Sequence, residues 1–345
     1  MQPETQMNQD NNNQTDLHKQ EDSTDSETPS EISFEKDESQ ENPCACENGW
    51  ISRIPIVLGD SHYHFEPKAV DIVFQTSAYR PDTILDGWET EECIIRAAST
   101  RGVMHRGFAK PRQDDLSIRL VNGSSSIVIA VADGVSSAHF AHIASTAATR
   151  YVTQYLAQLI EEKQEASPLL IDWEEVMLFT TEELVKQAEH IRPGIGRRTG
   201  DIQEILATTL VCAIISPTEK PGTLQVEVAV VGDSGVWIVD NEKINTVCGG
   251  KDTSSESCED NRTYCLPAPI INMQTQNIEI TKQNVLLIGT DGFGDPLGNG
   301  KTQVGSLYHS VLATRVPSII EFGHMLDFTL RSFTDDRTLV AIWPK

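Results

Sequence analysis

The sequence predicts an α+β fold, mainly antiparallel β-sheets covered by helices, and three observations carry that reading. Short β-branched runs bounded by Gly, Asp or Asn recur from Ile94 to the C-terminus, which is the mark of strands. Two stretches with apolar residues three to four apart follow one another with no strand between them, as amphipathic helices do. Strands, then helices, then strands again is the order of antiparallel sheets rather than of alternating βαβ units.

Taken in order, residues 1–47 hold 5 Asp and 8 Glu against 2 Lys, a net charge of −11, with few apolar side chains. Such a stretch buries too little surface to offset its ordering entropy, so a disordered acidic tail is expected. It has neither the basic start nor the apolar stretch of a secretory signal, and a cytoplasmic location is expected. Residues 48–92, with Trp50, Pro55, Pro67, Pro81 and Trp88, have no sustained periodicity and read as an extension packing on the domain. The domain itself is expected over residues 93–345. Its strands are expected at Ile94–Ser99, Leu116–Val121, Ile127–Ala132, Thr209–Ile215, Leu224–Val231, Val236–Val239, Val285–Ile288 and Leu339–Trp343. One helix is spaced out by Ala141, Ala144, Ala148, Tyr151, Tyr155 and Leu159. A second follows from Trp173, Val176, Thr180, Leu184, Ala188 and Ile191. A third is expected from Pro317 to Arg331, with Pro317 in its first turn.

Composition excludes several functions. The chain has 27 basic and 51 acidic residues, a net charge of −24, whereas a nucleic-acid binder needs a basic surface. No apolar run approaches the ~20 residues of a membrane span. Seven cysteines without a CxxC pair make neither a disulfide framework nor a zinc ribbon. Cys44 and Cys46 with His62 and His64 could form a metal site, but isolated pairs of this kind read as incidental. The glycines after Val285–Ile288, ending in Gly300-Lys301-Thr302, imitate a phosphate-binding loop. That motif needs glycine where this chain has Asp295, Pro296 disrupts the loop, and no strong helix is expected after it.

The informative feature is the placement of aspartates. Ile127–Ala132 runs into Asp133-Gly134, Val226–Val231 into Gly232-Asp233-Ser234, and Val285–Gly289 into Thr290-Asp291-Gly292. Gln113-Asp114-Asp115 precedes Leu116–Val121, and Asp335-Asp336 precedes Leu339–Trp343. In antiparallel sheets the start of one strand lies beside the end of its neighbour, so all five acidic turns can gather at one end. Carboxylates so gathered repel one another unless a cation offsets them. Oxygen ligands without nearby His or Cys ligands indicate Mg²⁺ or Mn²⁺ rather than zinc. One Asp-Gly turn alone would mean only a loop; the clustering is the signal.

The ordered series Gln113-Asp114, Val131-Ala132-Asp133-Gly134-Val135, Ala207-Thr208-Thr209-Leu210, Val231-Gly232-Asp233-Ser234, Thr290-Asp291-Gly292 and Asp335-Asp336-Arg337-Thr338 resembles the metal-dependent type 2C serine/threonine protein phosphatases. Within them it is most similar to the bacterial branch with a His-containing segment before a Gln-Asp pair, here His105 to Asp114. The resemblance covers about residues 94–344. It implies two antiparallel sheets packed as a sandwich and flanked by helices, with a binuclear Mn²⁺ or Mg²⁺ centre at one end. Asp133 would then bridge the two ions, the Gly134 carbonyl would bind one, and Asp291 and Asp335 would hold the other. Gln113 and Asp114 would position metal-bound waters, and Asp233 would share a third, weaker ion with Asp291. The implied activity is hydrolysis of phosphoserine and phosphothreonine in proteins, a phosphorylated protein being the partner and a Ser/Thr kinase the opposing enzyme.

The sequence departs from the family's pattern in places. The arginine that grips phosphate, four residues before the acidic pair, is replaced by Ala109, with Arg106 or Arg112 as possible substitutes. The acidic pair is Gln-Asp rather than Glu-Asp, and the Gly before Thr-Thr is Ala207. His139 and His142 follow Asp133-Gly134 and read more readily as structural histidines than as proton donors. The alternative function is a catalytically weak or inactive phosphoprotein-binding scaffold on the same fold. Hydrolysis of a small phosphoester is a further possibility.

Overall fold

The computed structural model describes residues 56–58, 67–75, 81–162, 171–250, 264–268 and 272–345. The expected acidic tail, Cys44, Cys46, His62 and His64 lie outside them. Along the chain the elements are β1 (Val57–Leu58), α1 (Ile72–Gln75), β2 (Thr83–Glu89), β3 (Cys93–Thr100), α2 (Val103–Gly107), β4 (Asp114–Leu120), β5 (Ile127–Asp133), α3 (Ala141–Glu162), α4 (Trp173–Ile191), α5 (Thr199–Gln203) and β6 (Leu210–Pro217). There follow β7 (Thr223–Val231), β8 (Gly235–Val239), β9 (Ile244–Gly249), β10 (Gln274–Thr281), β11 (Val285–Gly289), α6 (Asp291–Leu297), α7 (Gln303–Leu312), α8 (Ile319–Leu326), β12 (Thr329–Leu330) and β13 (Arg337–Pro344).

Two antiparallel sheets make the body. One has the order β10-β7-β6-β5-β4 and the other β2-β3-β13-β11-β8-β9, while β1 pairs with β12 apart from them. Strand periodicity explains the layers. Ile127, Ile129 and Val131 of β5 face between the sheets, with Ile95, Leu286, Ile288, Val340 and Ile342 from the other sheet. Val128, Ala130 and Ala132, on the opposite face of β5, pack under α3 and α4 through Ala148, Val152, Leu156, Val176 and Leu184. Leu287, Leu339 and Ala341 do the same under α7 and α8. Both faces of the central strands are therefore buried, which is why they read as unbroken apolar runs rather than alternating ones. Each Val, Leu or Ile among them contributes about 1.5–3 kcal/mol on burial.

All eight expected strands form. The strands that the sequence reading lacks are, apart from the two-residue β1 and β12, the edge strands β2, β9 and β10. An edge strand has one neighbour and more solvent, so its apolar signal is weak; β10, QTQNIEIT, is mostly exposed. Because β2 comes from Thr83–Glu89, part of the segment read as an extension forms a sheet edge. The helix expected over Pro317–Arg331 is shorter, Ile319–Leu326. Ser318, not Pro317, starts it: its hydroxyl accepts from Glu321 N–H at 3.2 Å, and the Glu321 carboxylate accepts from Ser318 N–H, closing a capping box. A second correction concerns Thr302. It caps α7, its hydroxyl accepting from Gly305 N–H at 3.0 Å, so a helix does follow the glycine-rich stretch. Among the described residues no helix is long and apolar enough to cross a membrane.

Candidate metal centre

The register of the sheets assembles the acidic turns. Asp114, the first residue of β4, is paired with Asp133, the last of β5. The end of β11 meets the start of β13, Gly289 opposite Leu339, and this sets Asp291 beside Asp335-Asp336. The end of β7 is joined to the same place through side chains. Thr209 Oγ1 accepts from Asp133 N–H at 3.1 Å and lies 2.9 Å from Ser234 Oγ, next to Asp233.

The resulting geometry has two groups. Carboxylate oxygens of Asp133, Asp233 and Asp291 lie within 4.8 Å of one another. Asp335 groups instead with His105 and Asp336, but it shares with Asp291 the lining of a cavity of about 220 Å³, together with Gly292, Asp295, Ser332, Phe333 and Thr334. The Asp335 side chain is 54% exposed, so solvent reaches this end of the site. Two glycines allow the turns to approach. A Cβ on Gly134 would stand 2.5 Å from the Ala141 carbonyl oxygen, and one on Gly292 only 1.9 Å from that of Asp336.

Asp114 forms the buried floor. Its Oδ2 accepts from Thr290 Oγ1 at 2.7 Å and from Thr338 Oγ1 at 2.9 Å. Burial, and then the charge of Asp336, push its pKa up, against the Thr290 hydrogen bond. Asp133 is raised in the same way by burial and by Asp114, Asp291 and Asp335. Asp335 is raised by burial and Asp336. Asp336 goes the other way. Burial works to raise it, but His105 Nδ1 at 2.9 Å and the N–H groups of Gly102 and Gln113 outweigh that and lower it. His105, despite burial, is raised by Asp336 and Asp335.

Carboxylates that raise one another's pKa are the electrostatic signature of a cation site, because a bound dication turns the repulsion into attraction. The donors are hard oxygens, and they fit Mn²⁺ or Mg²⁺. Gln113 is buried beside them, its Oε1 accepting from Ser136 Oγ at 3.0 Å and its carbonyl from Gly134 N–H at 3.2 Å.

The expected arginines do not enter the site. Arg112 is fully buried and donates to the carbonyls of Pro81 and Asp114 and to Ser99 Oγ, so it cannot meet a substrate phosphate. Arg106 is held between Asp82 at 3.1 Å and Asp327 at 3.0 Å, with Thr100 Oγ1 at 2.9 Å. His142 is buried, edge-on to Phe74 at 5.6 Å, and burial pushes its pKa down to about 4; it is structural. His139 is exposed, its Nδ1 2.8 Å from the Glu204 carbonyl oxygen. Sequence reasoning gave no role to His105, Asp336 or Asp295. Asp336 stood in a recognised acidic pair and His105 in a recognised segment, but only the fold makes them partners.

A sequence model of protein phosphatase 2C matches residues 101–320. Among solved structures, the catalytic domain of the serine/threonine protein phosphatase PstP in complex with two manganese ions is 15% identical, with a TM-score of 0.50 over 73% of this chain and 98% of that one. The S. agalactiae serine/threonine phosphatase is 14% identical, with a TM-score of 0.50 over 76% of this chain and 100% of the other. No curated protein matches the chain. At such identities the solved structures speak for the fold, a helix-flanked sandwich of antiparallel sheets, and the sequence match speaks for descent. With nearly two thirds of its length matched, the chain belongs to the protein phosphatase 2C family.

Proposed function

We propose that this protein hydrolyses phosphoserine and phosphothreonine in proteins with two Mn²⁺ or Mg²⁺ ions, joined by a third, weaker one. The observation that carries the reading is the approach of Asp133, Asp233 and Asp291 to within 4.8 Å, beside a cavity that Asp335 also lines. Asp133 and the Gly134 carbonyl would help hold the ions, which when bound supply the charge that the clustered carboxylates lack. Asp291 and Asp335 would hold metal as well, and Asp233 would join Asp291 in holding the weaker ion. Such ions, when bound, supply a water acidic enough to attack phosphorus near neutral pH and offset the charge on the phosphoryl oxygens.

The chain's own residues orient the reactants. Asp114, clamped by Thr290 and Thr338, and Gln113, held by Ser136, fix water at the floor of the site. The exposed Asp335 side leaves room for a phosphorylated side chain projecting from a protein surface. A Ser/Thr kinase is the class of enzyme that must supply that substrate. The catalytic domain is taken as residues 93–345 together with the edge strand β2, and the free thiols of Cys93, Cys212, Cys248 and Cys265 suit a reducing compartment such as the cytoplasm.

A second reading, a phosphoprotein-binding scaffold, is favoured by one observation. Ala109 stands where the phosphate-gripping arginine is expected, and Arg106 and Arg112 are both engaged elsewhere. The test is hydrolysis of a phosphothreonine peptide with Mn²⁺, Mg²⁺ or EDTA, for wild type and Asp291→Ala. Metal-dependent turnover lost in the variant supports the phosphatase. A folded protein without turnover under any condition supports the scaffold.

A further inference from the structure

Arg112 is the largest fully buried side chain among the described residues. Taking a guanidinium out of water costs several kcal/mol, and an apolar residue of similar volume is often at least as stable, so its contacts need a purpose beyond packing. Nε donates to the Pro81 carbonyl, and the contacts of Nη1 lead to one residue, Asp114. Nη1 donates to the main-chain carbonyl of Asp114 and to Ser99 Oγ. Ser99 Oγ lies 2.7 Å from Thr338 Oγ1, and Thr338 Oγ1 donates to Asp114 Oδ2 at 2.9 Å.

Each hydroxyl has one proton, and that fixes the sense of the chain. Thr338 spends its proton on Asp114, so it accepts from Ser99. Ser99 then accepts from Arg112. Every donor points from the guanidinium toward the Asp114 carboxylate, crossing from the turn before β4 to β3 and β13 and back to the start of β4. On the far side Arg112 Nη2 lies 3.7 Å from buried Asp115, whose Oδ2 accepts from Thr146 Oγ1 of α3 at 2.7 Å.

We propose that Arg112 is a positioning residue for the metal centre, holding Asp114 by its main chain directly and by its carboxylate through Ser99 and Thr338. It is not a substrate ligand. The inference rests on the proposed metal-dependent reading. Altering the partners of metal ligands changes metal affinity by about 10- to 100-fold; Asp114 acts through water, so its own partners are expected at the low end of that range.

The test is a calorimetric titration with Mn²⁺ alone, paired with kcat and KM on a small aryl phosphate, for wild type, Arg112→Lys, Ser99→Ala, Thr338→Val and Thr338→Ser. Ser99→Ala and Thr338→Val are expected to weaken Mn²⁺ binding about tenfold and to lower kcat with KM little changed. Thr338→Ser, which keeps the hydroxyl, restores both. Ser117→Ala removes a comparable hydroxyl pair with Thr153 further along β4 (2.9 Å) and is expected to lower Tm without changing Mn²⁺ affinity. Should Arg112→Lys fail to fold, the Ser99 and Thr338 variants decide. Unchanged Mn²⁺ affinity in both, with wild type binding normally, overturns the inference and leaves the phosphatase reading standing. Wild type that binds no Mn²⁺ overturns both together.

Discussion

Asp114 and Asp133 stand directly opposite one another on adjacent antiparallel strands; burial pushes the pKa of both carboxyl groups up, and the charge of Asp114 pushes Asp133 further. Two carboxylates placed opposite one another repel unless a cation offsets them. The arrangement stores repulsion that a metal relieves.

It follows that Asp133→Asn stabilises the metal-free protein while removing Mn²⁺ binding. The expected gain is about 1 kcal/mol, or roughly 2–4 °C in Tm. Calorimetry in EDTA measures the first effect and Mn²⁺ titration the second. A lower Tm for the variant in EDTA would contradict the stored-repulsion argument.

His105 and Asp336 form a buried pair with Nδ1 and Oδ2 2.9 Å apart. Removing one partner of such a pair strands the other, at a cost of about 3–5 kcal/mol. His105→Leu is expected to lose that much in urea unfolding. Adding Asp336→Asn to it should recover part of the loss, so the two substitutions are non-additive; strict additivity would mean that the pair is uncoupled.

Acid sensitivity should follow His142. Its folded pKa, pushed down by burial to about 4, lies below the unfolded value of about 6.5. Below pH 6.5 the unfolded chain takes up a proton that the folded chain refuses. Stability is therefore complete above that pH, falls between about 6.5 and 4, and levels off beneath. The integrated loss is roughly 3 kcal/mol. His142→Leu keeps an apolar side chain against Phe74 and should flatten this limb in stability–pH profiles.

Gly292 and Gly200 offer a contrast between two glycine-to-alanine changes. A Cβ at Gly292 would stand 1.9 Å from a backbone carbonyl, whereas one at Gly200, in α5, meets nothing within 4 Å. Gly292→Ala is expected to destabilise by about 3 kcal/mol or more and to weaken Mn²⁺ binding. Gly200→Ala should stabilise by about 0.5–1 kcal/mol. Thermal melts of both variants check the pair.

Legibility in the sequence followed burial. Strands such as β5 and β11 are covered on both faces, so their residues up to the final turn had to be apolar and the run announced itself. The edge strands β2, β9 and β10 have one neighbour each and left no comparable trace. The acidic turns were legible for a similar reason: Asp133, Asp233 and Asp291 each end an apolar run, and carboxylates at so many strand ends have no packing explanation. Arg106 and Arg112 were misleading because an arginine near an acidic pair looks alike in sequence whether it faces a phosphate or the interior.

By itself, then, the sequence determined the antiparallel α+β architecture, the two long helices and the aspartates that cluster at one end, since these depend on local periodicity and strand direction. Only the tertiary structure decided that Arg112 is buried beneath Asp114, that Arg106 is held by Asp82 and Asp327, and that His105 pairs with Asp336. These are choices among partners, two of them, Arg106 with Asp327 and His105 with Asp336, more than two hundred residues apart. Local sequence carries no energy term for such partners; the packing of one sheet on the other does.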